Sequence, residues 1–450
     1  MKRIAFLALG LVATLGCGAR PPNIVLVSID TLRADKLGAY GFAGPTSPVL
    51  DRRLAAEGVT FTRVFSQSPK TTPSHMTLLT SLYPCVHGVE MWETGEQPLA
   101  LRDSIETLAE LLHAAGYATV AFTGGGNVHA ARGFAQGFDT YEHGQPFEKS
   151  VDWLRAHGRE QKFFLFFHTY IVHDPYVHPL RFVRKFDSGY NGRLLGVVQK
   201  LNNTQGRWPM LARRFWSAVD HNDAPTVRFV EHLYEAGILR MDETNLAPLL
   251  ALLDELGLAR DTLLVFTSDH GEAFLEHGHF RHMDLYGETL HVPLVLRYPG
   301  RLPAGRRIDT PVTLLDVMPT ILDLADVAVP GAAQGRSLVP LWSGGTLEPR
   351  PIVSEWNGRT DGAPFEAVRD GGFTYIRQGS SELLFEIARD PGEHRSVAGE
   401  APEVLAARRS QLAAWEKECR ARAAALGPRP AGEAPSEETR RQLRALGYVE

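Results

Sequence analysis

Cysteine is scarce in this sequence, and its scarcity limits how the fold can be held together. Only three cysteines occur among the 450 residues, at positions 17, 85 and 419. Three are too few for the disulfide framework that stabilises small secreted domains, and the sequence leaves open whether Cys85 and Cys419 pair. The fold must therefore rest on a hydrophobic core, and a chain of this length can bury one in a large domain with a smaller one beside it.

A surplus of basic residues is absent as well. Lysine and arginine together number 47 against 52 aspartates and glutamates, which gives a formal net charge of −5 at pH 7 with both signs interspersed. Nucleic-acid binding needs a basic patch, so we expect no nucleic-acid partner. After residue 17 no apolar run is long enough to span a bilayer as a helix, so membrane attachment would depend on a lipid.

The first 17 residues have the pattern of an export signal. Two basic residues precede an apolar run at 4–15 that is too short for a stable transmembrane helix. One interpretation is an ordinary signal peptide with an incidental cysteine. We favour another, because Leu15-Gly16-Cys17 resembles the bacterial lipobox, in which the cysteine is acylated and becomes the new N-terminus. This predicts an exported protein, lipid-anchored to a bacterial cell membrane, at the outer membrane or the cell surface.

Apolar strands alternate with helical segments through most of the chain. This alternation predicts an α/β fold with a doubly wound, mainly parallel sheet, and short strands after residue 345 predict a smaller C-terminal antiparallel sheet subdomain. We divide the chain into a signal segment (1–17), a large domain (22–345), a C-terminal α+β subdomain (346–425) and a linker with a short terminal helix (426–450). The predicted strands are 24–29, 117–122, 163–168, 262–267, 292–298, 352–355, 365–369, 374–377 and 384–387, and the predicted helices are 48–57, 74–81, 104–115, 245–256 and 402–425, with a helical insertion at 181–228.

Three polar segments lie at the ends of these elements. Asp30 follows the first strand, Ser268-Asp269-His270 follows the strand at 262–267, and Thr71-Thr72-Pro73-Ser74-His75 leads into the predicted helix at 74. Each alone is a weak signal, because a T-x-P-S tetrad is usually a helix cap and aspartate after a strand usually starts a loop. Together they indicate a metal-assisted, ester-cleaving site, since ligands gather at the carboxyl ends of the strands in such sheets.

The chemistry gives each of these residues a role. A bound cation neutralises the oxygens of a sulfate or phosphate ester and holds the group in line for attack. Asp30, Asp269 and His270, with the hydroxyl of Thr71, are the predicted ligands. Because Thr71 lies just before the predicted helix, its oxygen sits in the field of exposed N–H groups and the positive helix end. Contact with the metal would lower its pKa and activate it as a nucleophile.

The sequence resembles the sulfatase family within the alkaline phosphatase superfamily. The resemblance covers most of the chain after the signal segment, and it implies an α/β domain with one divalent metal ion at the carboxyl ends of the central strands, then a smaller C-terminal sheet domain. It implies a sulfated or phosphorylated small molecule, glycan or lipid head group as substrate. Seven blocks in family order carry it: PNIVLVSIDTLRADKLGAYG (22–41), TTPSHMTLLTSLYP (71–84), GFDTYE (137–142), VHDPY (172–176), TSDHGEAFLEHGHF (267–280), HVPLVLRYPG (291–300) and FEIARDPGE (385–393).

The chain departs from the family pattern at its most consequential position. The family motif is C-x-P-S-R or S-x-P-S-R, in which the first residue is oxidised to formylglycine, whereas this chain has Thr71 there and His75 in place of the arginine. Threonine cannot form that aldehyde, because its β-carbon carries a methyl group. Direct attack by the Thr71 oxygen is the natural replacement, and superfamily relatives with a threonine nucleophile act on phosphoesters. We therefore place Thr71 and His75 in the catalytic group.

Other departures concern the metal. His270 stands where many relatives have asparagine, and Thr31 stands where they have a second aspartate. Nitrogen ligation favours Zn²⁺ or Mn²⁺ over Ca²⁺, with Mg²⁺ as a further candidate. The basic pair that the resemblance implies after the strand at 117–122 is absent, because three glycines occupy positions 124–126.

Several histidines complete the predicted site. His173, in the block VHDPY, matches the family's substrate-side histidine and is predicted to give a hydrogen bond or a proton to the leaving oxygen. His282 falls near the position where relatives place a substrate-contacting lysine. We expect His168 to belong to its strand end and the core, and His291 to be a packing residue.

These observations predict a metal-dependent hydrolase that cleaves a sulfate or phosphate ester through Thr71. Three alternatives stay open: a phosphoglycerol- or phosphoethanolamine-type phosphotransferase, a conventional sulfatase, and a non-catalytic surface protein that binds glycans. Burying the charged ligands of a metal site costs free energy, and a non-catalytic protein would gain nothing from such a site, which argues against the glycan-binding alternative. The pocket walls come from loops such as 177–230 that have no readable pattern, so the sequence does not identify the substrate.

Overall fold

The computed structural model describes residues 21–90, 100–203, 208–356 and 365–428, together with residues 363 and 437. The predicted signal segment and nearly all of the predicted terminal helix lie outside the described residues, so both stay predictions. Within the described ranges, no helix combines the length and the apolar character needed to cross a bilayer.

The strands follow short apolar runs. They are β1 (Asn23–Ile29), β2 (Val59–Phe61), β3 (Val64–Phe65), β4 (Ala118–Thr123), β5 (Thr140–His143), β6 (Phe163–Thr169), β7 (Thr262–Thr267), β8 (Ala273–Phe274), β9 (Phe280–Arg281), β10 (Leu294–Arg297), β11 (Arg306–Ile308), β12 (Val312–Thr313), β13 (Ile352–Glu355), β14 (Phe365–Asp370), β15 (Phe373–Gln378) and β16 (Ser381–Glu386).

The α-helices surround these strands. They are α1 (Thr71–Thr80), α2 (Pro84–His87), α3 (Leu108–Ala114), α4 (Pro146–His157), α5 (Leu180–Val183), α6 (Arg193–Asn202), α7 (Trp208–Trp216), α8 (Ala224–Met241), α9 (Ala247–Glu255), α10 (Gly287–Leu290), α11 (Val317–Leu324), α12 (Val339–Trp342) and α13 (Pro402–Ala425). Single turns of 3₁₀-helix occur at Ala34–Lys36, Gly38–Tyr40, Gly126–Val128, Ala130–Arg132 and Leu314–Asp316, and π-helical turns at Leu50–Ala55 and Asp242–Leu246.

The central sheet has the order β11-β2-β10-β7-β1-β6-β4-β5. It is parallel except at β10, which runs antiparallel to both of its neighbours. Successive residues of β1 face opposite sides of the sheet. Accordingly, Ile24 packs in one hydrophobic core and Val25 in the other. The prediction of a doubly wound, mainly parallel sheet is confirmed, and the uninterrupted apolar character of β1 follows from helices covering both faces.

The pairing register brings the predicted site residues to one edge. On β1, Ser28 lies opposite Thr267 of β7 and also opposite His168 of β6. Asp30 and Asp269 each stand two positions beyond these partners, so the two carboxylates emerge side by side at the carboxyl ends of neighbouring strands. Topology alone therefore positions the candidate site.

A four-stranded antiparallel sheet of order β13-β14-β15-β16 follows the central sheet, as predicted. Helix α13 packs beside it, and a disulfide joins Cys85 in α2 to Cys419 in α13. Next to this link, the rings of Tyr83 and Trp415 meet edge to face at 5.4 Å. The C-terminal helix is thus tied, covalently and by packing, to the part of the chain that follows α1.

The structure changes several predicted boundaries. Helix α1 begins at Thr71 rather than at 74, whereas α3 begins only at Leu108, where Thr107 forms a capping box with Glu110. The predicted insertion at 181–228 contains α5, α6 and α7 and the start of α8. Several short strands, including β2 and β5, were not predicted, because their runs are too short to show a clear periodicity.

Candidate active site

Two buried carboxylates form the centre of the site. Asp30 and Asp269 are fully buried, and neither Asp30 Oδ1 nor Asp269 Oδ2 accepts a hydrogen bond from a described residue. Burial raises the pKa of Asp30 to about 6. Burial, together with the neighbouring Asp30 charge, raises the pKa of Asp269 to about 8. Such a pair lacks positive charge, and a divalent cation between the two unpaired oxygens would supply it.

His270 completes a set of ligand atoms. One ligand atom from each of Asp30, Asp269 and His270 lies within 4.8 Å of the others. His270 Nδ1 donates to the carbonyl of Gly271 at 2.9 Å, which leaves the lone pair of Nε2 for a metal. Burial lowers the pKa of His270, so its ring is neutral. These residues fit a divalent metal, and two oxygens with one nitrogen suit Zn²⁺ or Mn²⁺.

Thr71 stands beside this set. Its Oγ1 lies 3.4 Å from His270 Nε2, and the residue is fully buried. Because α1 begins at Thr71, the threonine occupies the first turn itself rather than the loop before it. The N–H groups of Thr71 and Thr72 precede the first helical hydrogen bond, which runs from Ser74 N to the Lys70 carbonyl at 3.1 Å. The positive end of the helix therefore lies directly at the hydroxyl.

His75 lies beneath the carboxylates, and it does not face outward. Its Nδ1 donates to the carbonyl of Thr71 at 2.9 Å and lies 3.3 Å from Asp269 Oδ2, while Nε2 is 2.9 Å from Ser28 Oγ. Burial lowers its pKa to about 4, so the ring is neutral. With both nitrogens engaged, His75 is placed to fix Thr71 and Asp269 rather than to contact a substrate.

His168 lies in the site, which the sequence did not indicate. Our expectation assigned it to a strand end and the core, but its Nε2 is 3.4 Å from Asp30 Oδ2. Its Nδ1 accepts from Gly124 N at 3.3 Å, so Nε2 carries the proton and points it at the carboxylate. Ligand atoms of Asp30, His75 and His168 also fall within 4.8 Å of one another. His168 thus hydrogen-bonds one carboxylate, whereas His75 borders the other and places its hydrogen bonds on Thr71 and Ser28.

His173 is the best-placed proton donor. Its Nδ1 donates to the carbonyl of Asp174 at 2.8 Å, and its Nε2 lies 4.0 Å from Asp30 Oδ1, so the ring borders the cation position. Burial lowers its pKa, but the negative charges of Asp174, Asp30 and Glu272 outweigh burial, and the net shift is upward. The upward direction of this shift is the one that the predicted role of a proton donor requires.

His282 forms a pair with Glu272, a residue that the sequence analysis did not single out. His282 Nδ1 lies 3.1 Å from Glu272 Oε1, and the His282 ring is 4.4 Å from that of His270. Glu272 is fully buried, and burial raises its pKa to about 8. Its place in the DHGE segment, two residues after a predicted ligand, was the available signal.

Lys70 and Asn127 are two more residues that the sequence reasoning missed. The ammonium of Lys70 donates to the carbonyl of His282 at 2.8 Å and stands 4.0 Å from the ring centre of Trp356. Its charge contributes to the lowered pKa values of His270 and His282. Asn127, just past the three glycines, is buried beside the first turn of α1, because Thr72 Oγ1 donates to its carbonyl at 2.8 Å. Neither atom of its side-chain amide has a partner among the described residues.

The remaining histidines of the 277–291 region lie elsewhere. His277 binds Glu288 at 2.6 Å and stacks on Tyr286, and His279 binds Asp284 at 2.5 Å. His291 donates to the carbonyl of Thr62 at 2.9 Å, which agrees with its predicted packing role.

Comparison with known proteins gives consistent matches. A family model described as Sulfatase matches residues 22–327, and one described as N-sulphoglucosamine sulphohydrolase, C-terminal, matches residues 275–417. Arylsulfatase K of Mus musculus is 26% identical over 437 residues, which cover 85% of this chain and 77% of the relative. The Delta 4,5-hexuronate-2-O-sulfatase of Bacteroides thetaiotaomicron is 26% identical over 431 residues, which cover 85% and 86%.

A solved structure extends the likeness of fold. The phosphonate monoester hydrolase of Agrobacterium radiobacter superposes with a TM-score of 0.70 at 22% identity, covering 88% of this chain and 96% of that one. At that identity the likeness concerns the fold alone. The match to the Sulfatase model, by contrast, spans more than half of the sequence. On that ground this chain belongs to the sulfatase family, and it is an ester hydrolase of the sulfuric or phosphoric ester class.

Proposed function

We propose that this protein cleaves its ester by direct attack of the Thr71 hydroxyl, on a divalent cation held by Asp30, Thr71, Asp269 and His270. The observation that carries the proposal is the position of Thr71. Its oxygen lies 3.4 Å from His270 Nε2, next to two buried carboxylate oxygens that accept no hydrogen bond from a described residue. A hydroxyl there is both a ligand and a nucleophile at the positive end of a helix.

The cation, when bound, would neutralise the anionic oxygens of the ester and lower the pKa of the hydroxyl. The chain supplies the rest. Residues Ser28 and Thr71 hold the ring of His75, and that ring in turn lies 3.3 Å from the Asp269 carboxylate. We interpret His75 and His168 as positioning residues, because each presents an N–H group toward one of the two carboxylates.

The first half of the reaction forms a bond between Thr71 Oγ1 and the phosphorus or sulfur and breaks the bond to the leaving oxygen. The proton of Thr71 passes to solvent, and His173 protonates the leaving oxygen, so that the product is a neutral alcohol. In the second half, water attacks the same phosphorus or sulfur, the bond from that atom to Thr71 Oγ1 breaks, and His173 regains a proton from solvent. One proton of that water returns to Thr71 Oγ1, and the released anion keeps the oxygen of the water.

We propose phosphoesters as the preferred class. In the formylglycine mechanism implied by the family resemblance, an aldehyde hydrate expels sulfate. An ester formed on Thr71 can instead be released only when water attacks its phosphorus or sulfur. Phosphothreonine permits that attack more readily than a sulfate ester of threonine. Sulfate esters are the second candidate, because two relatives that are similar over 85% of this chain are named as sulfatases, one of them for a hexuronate 2-O-sulfate. A sugar ester is accordingly our proposed substrate.

Substitution of Thr71 tests the nucleophile. We expect Thr71→Ala to lower turnover by about 10³-fold or more and Thr71→Ser to retain measurable activity without a maturation enzyme. Matched aryl sulfate, phosphate monoester and phosphodiester substrates give the ester preference, and mass spectrometry of quenched enzyme looks for phosphate on Thr71. Thr80→Ala, at the other end of the same helix, is the control, since the Thr80 hydroxyl bonds only within the helix at 2.7 Å. Full activity in Thr71→Ala would overturn the proposal.

We also propose that the protein is exported and anchored to a bacterial membrane through a lipid on Cys17. The support is the lipobox-like Leu15-Gly16-Cys17 after a short apolar run. Cys17→Ala should release the protein from the membrane fraction or block its maturation. Membrane association of that variant at the wild-type level would contradict the anchor, and catalysis by Thr71 would be unaffected by either result.

A further inference from the structure

Two cavities meet between the central sheet and the C-terminal sheet. One has a volume of about 360 Å³ and the other about 260 Å³. Four residues line both, namely Arg63, Phe65, Arg369 and Gly372, and we call this set the arginine groove. None of the residues assigned above to ester cleavage lines either cavity. The groove is therefore separate from the candidate active site.

Arg369 brings an incompletely satisfied guanidinium into the groove. Its side chain, on β14, is only 7% exposed, and its Nη2 donates to the carbonyl of Leu285 at 2.6 Å. Its Nη1 has no acceptor among the described residues. Glu393 forms an ion pair with Nη2 through its Oε1 at 3.8 Å, while its Oε2 accepts from Gly287 N at 2.7 Å, so neither oxygen serves Nη1. A buried donor left without an acceptor is costly, so this position favours an anionic ligand.

Arg63 adds a second positive charge at the mouth of the groove. It lies in the link between β2 and β3, is exposed, and has no ion-pair or hydrogen-bond partner for its side chain within the described ranges. The carboxylates of the walls are already matched by other groups. These pairs are Asp35 and Glu276 with Arg33, Glu288 with His277, and Asp370 with Arg408. The Arg63 side chain and Nη1 of Arg369 thus remain as donors without a carboxylate acceptor among the described residues.

The size and the lining of the cavities favour a sugar chain over a small anion. A single sulfate or phosphate ion would fill only a fraction of either cavity. The lining combines apolar surface with charged and polar groups, which suits a sugar ring with its apolar face and its hydroxyls. Phe65, half-buried between the two arginines, offers apolar surface for one face of a sugar ring, and the Arg369 guanidinium lies 5.1 Å from its ring centre.

We propose that the arginine groove is a second, non-catalytic binding site for an anionic oligosaccharide. Carboxylate or sulfate groups of the chain pair with Arg63 and Arg369, and a sugar ring packs against Phe65. Bidentate pairing with guanidinium groups gives both charge and directional recognition. A polymeric substrate or product would then be held at a distance from the ester that is cleaved.

Calorimetric titration of the full chain with a hyaluronan hexasaccharide tests this site. That probe carries carboxylates but no sulfate or phosphate ester, so binding is read without turnover and without any assumption about Thr71. We expect saturable binding that weakens with added salt and no binding of neutral maltohexaose. Arg63→Glu and Arg369→Gln should each weaken binding by about tenfold or more, since each removes a direct charge partner. Arg301→Glu is the control, because Arg301 is exposed and lines neither cavity.

Turnover of a small aryl ester by the same variants reports whether they are folded. We expect this turnover to stay at the wild-type level in Arg63→Glu and Arg301→Glu. Thermal unfolding of Arg369→Gln shows whether this variant loses binding while its fold remains stable. Wild-type affinity in Arg63→Glu would overturn the site. If inorganic sulfate bound as tightly as the hexasaccharide, the groove would be a small-anion site. If a polyglutamate hexapeptide bound more tightly than the hexasaccharide, the groove would bind an acidic protein segment. Either result would refute the proposed oligosaccharide ligand.

Discussion

We expect removal of the metal to make the stability of this protein fall steeply as the pH rises. Asp30 and Asp269 are buried side by side, and burial raises the pKa of the first to about 6 and that of the second to about 8. Both carboxyl groups therefore hold protons more tightly in the folded chain than in the unfolded one. The metal-free protein should be most stable below the unfolded pKa of 3.8 and lose stability as the pH rises above it, until the loss is complete for Asp30 above about pH 6 and for Asp269 above about pH 8.

The magnitude follows from the size of these pKa changes. Raising a carboxyl pKa from 3.8 to about 6 corresponds to about 3 kcal/mol, and raising it from 3.8 to about 8 corresponds to about 6 kcal/mol. Since whole domains are stable by about 5–15 kcal/mol, the metal-free protein should be close to unfolding at about pH 9. A bound cation keeps both carboxylates ionised, so the loaded protein should instead weaken toward acid pH, where protons compete for the ligands.

The assay is urea unfolding at a series of pH values, with the chain either chelated or saturated with Zn²⁺ or Mn²⁺. Asp269→Asn should stabilise the chelated protein at alkaline pH, because it removes a buried charge, and should abolish tight metal binding. Asp242 is the matched control. It is also buried with a pKa raised to about 6, but it accepts hydrogen bonds from Val49 N and Leu50 N at 2.8 Å and belongs to no group of candidate ligands. Asp242→Asn should therefore act equally with and without metal.

One result would refute this reasoning. If chelated and metal-loaded protein show the same dependence of unfolding free energy on pH, the two carboxylates do not share a cation. Normal metal content in purified Asp269→Asn would lead to the same conclusion.

Two further predictions concern the leaving group and the disulfide. His173→Asn should lower turnover of alkyl esters by about 10²–10⁴-fold and turnover of nitrophenyl esters much less, because a good leaving group needs no proton. Rates for a series of leaving groups give the comparison. Equal losses for all of them would show that His173 does not protonate the leaving oxygen. Replacing Cys85 and Cys419 together by serine should lower the free energy of unfolding by about 2–5 kcal/mol and leave turnover of a small ester unchanged, because the link ties α13 to α2 and neither cysteine belongs to the candidate site. Denaturant unfolding and steady-state rates check both parts.

The sequence predicted those elements best whose apolar runs end at strong turn signals. Strand β7, strand β13 and helix α13 have the predicted bounds to the residue. In β7 the run is stopped by Ser268 and Asp269, and helix α13 opens with a proline in its first turn, where the missing N–H costs nothing. The helical start at Thr71 was missed, because its first residues are threonines and a proline without an apolar period.

Site residues that directly follow an apolar strand could be predicted from the sequence. Residues whose role depends on how two strands pair could not. Asp30 and Asp269 follow apolar strands and could be assigned from pattern. His168 could not, because its role depends on lying opposite Ser28 in the pairing of β6 with β1. Lys70 and Glu272 reach the site through bonds to His282, and no local pattern indicates such contacts.

The two departures from the family motif, Thr71 and His75, are consistent with each other in their effect on the charge of the site. The motif places a permanently charged arginine four residues after the nucleophile, whereas His75 is neutral, since burial lowers its pKa to about 4. Replacing that cation by a neutral ring removes a permanent positive charge from beside the two carboxylates, whose pKa values burial raises. The same replacement puts a ligand-positioning N–H group 3.3 Å from Asp269 without adding positive charge that would repel a metal ion. A site built in this way depends more strongly on its cation, and it needs no oxidised residue if Thr71 is the nucleophile.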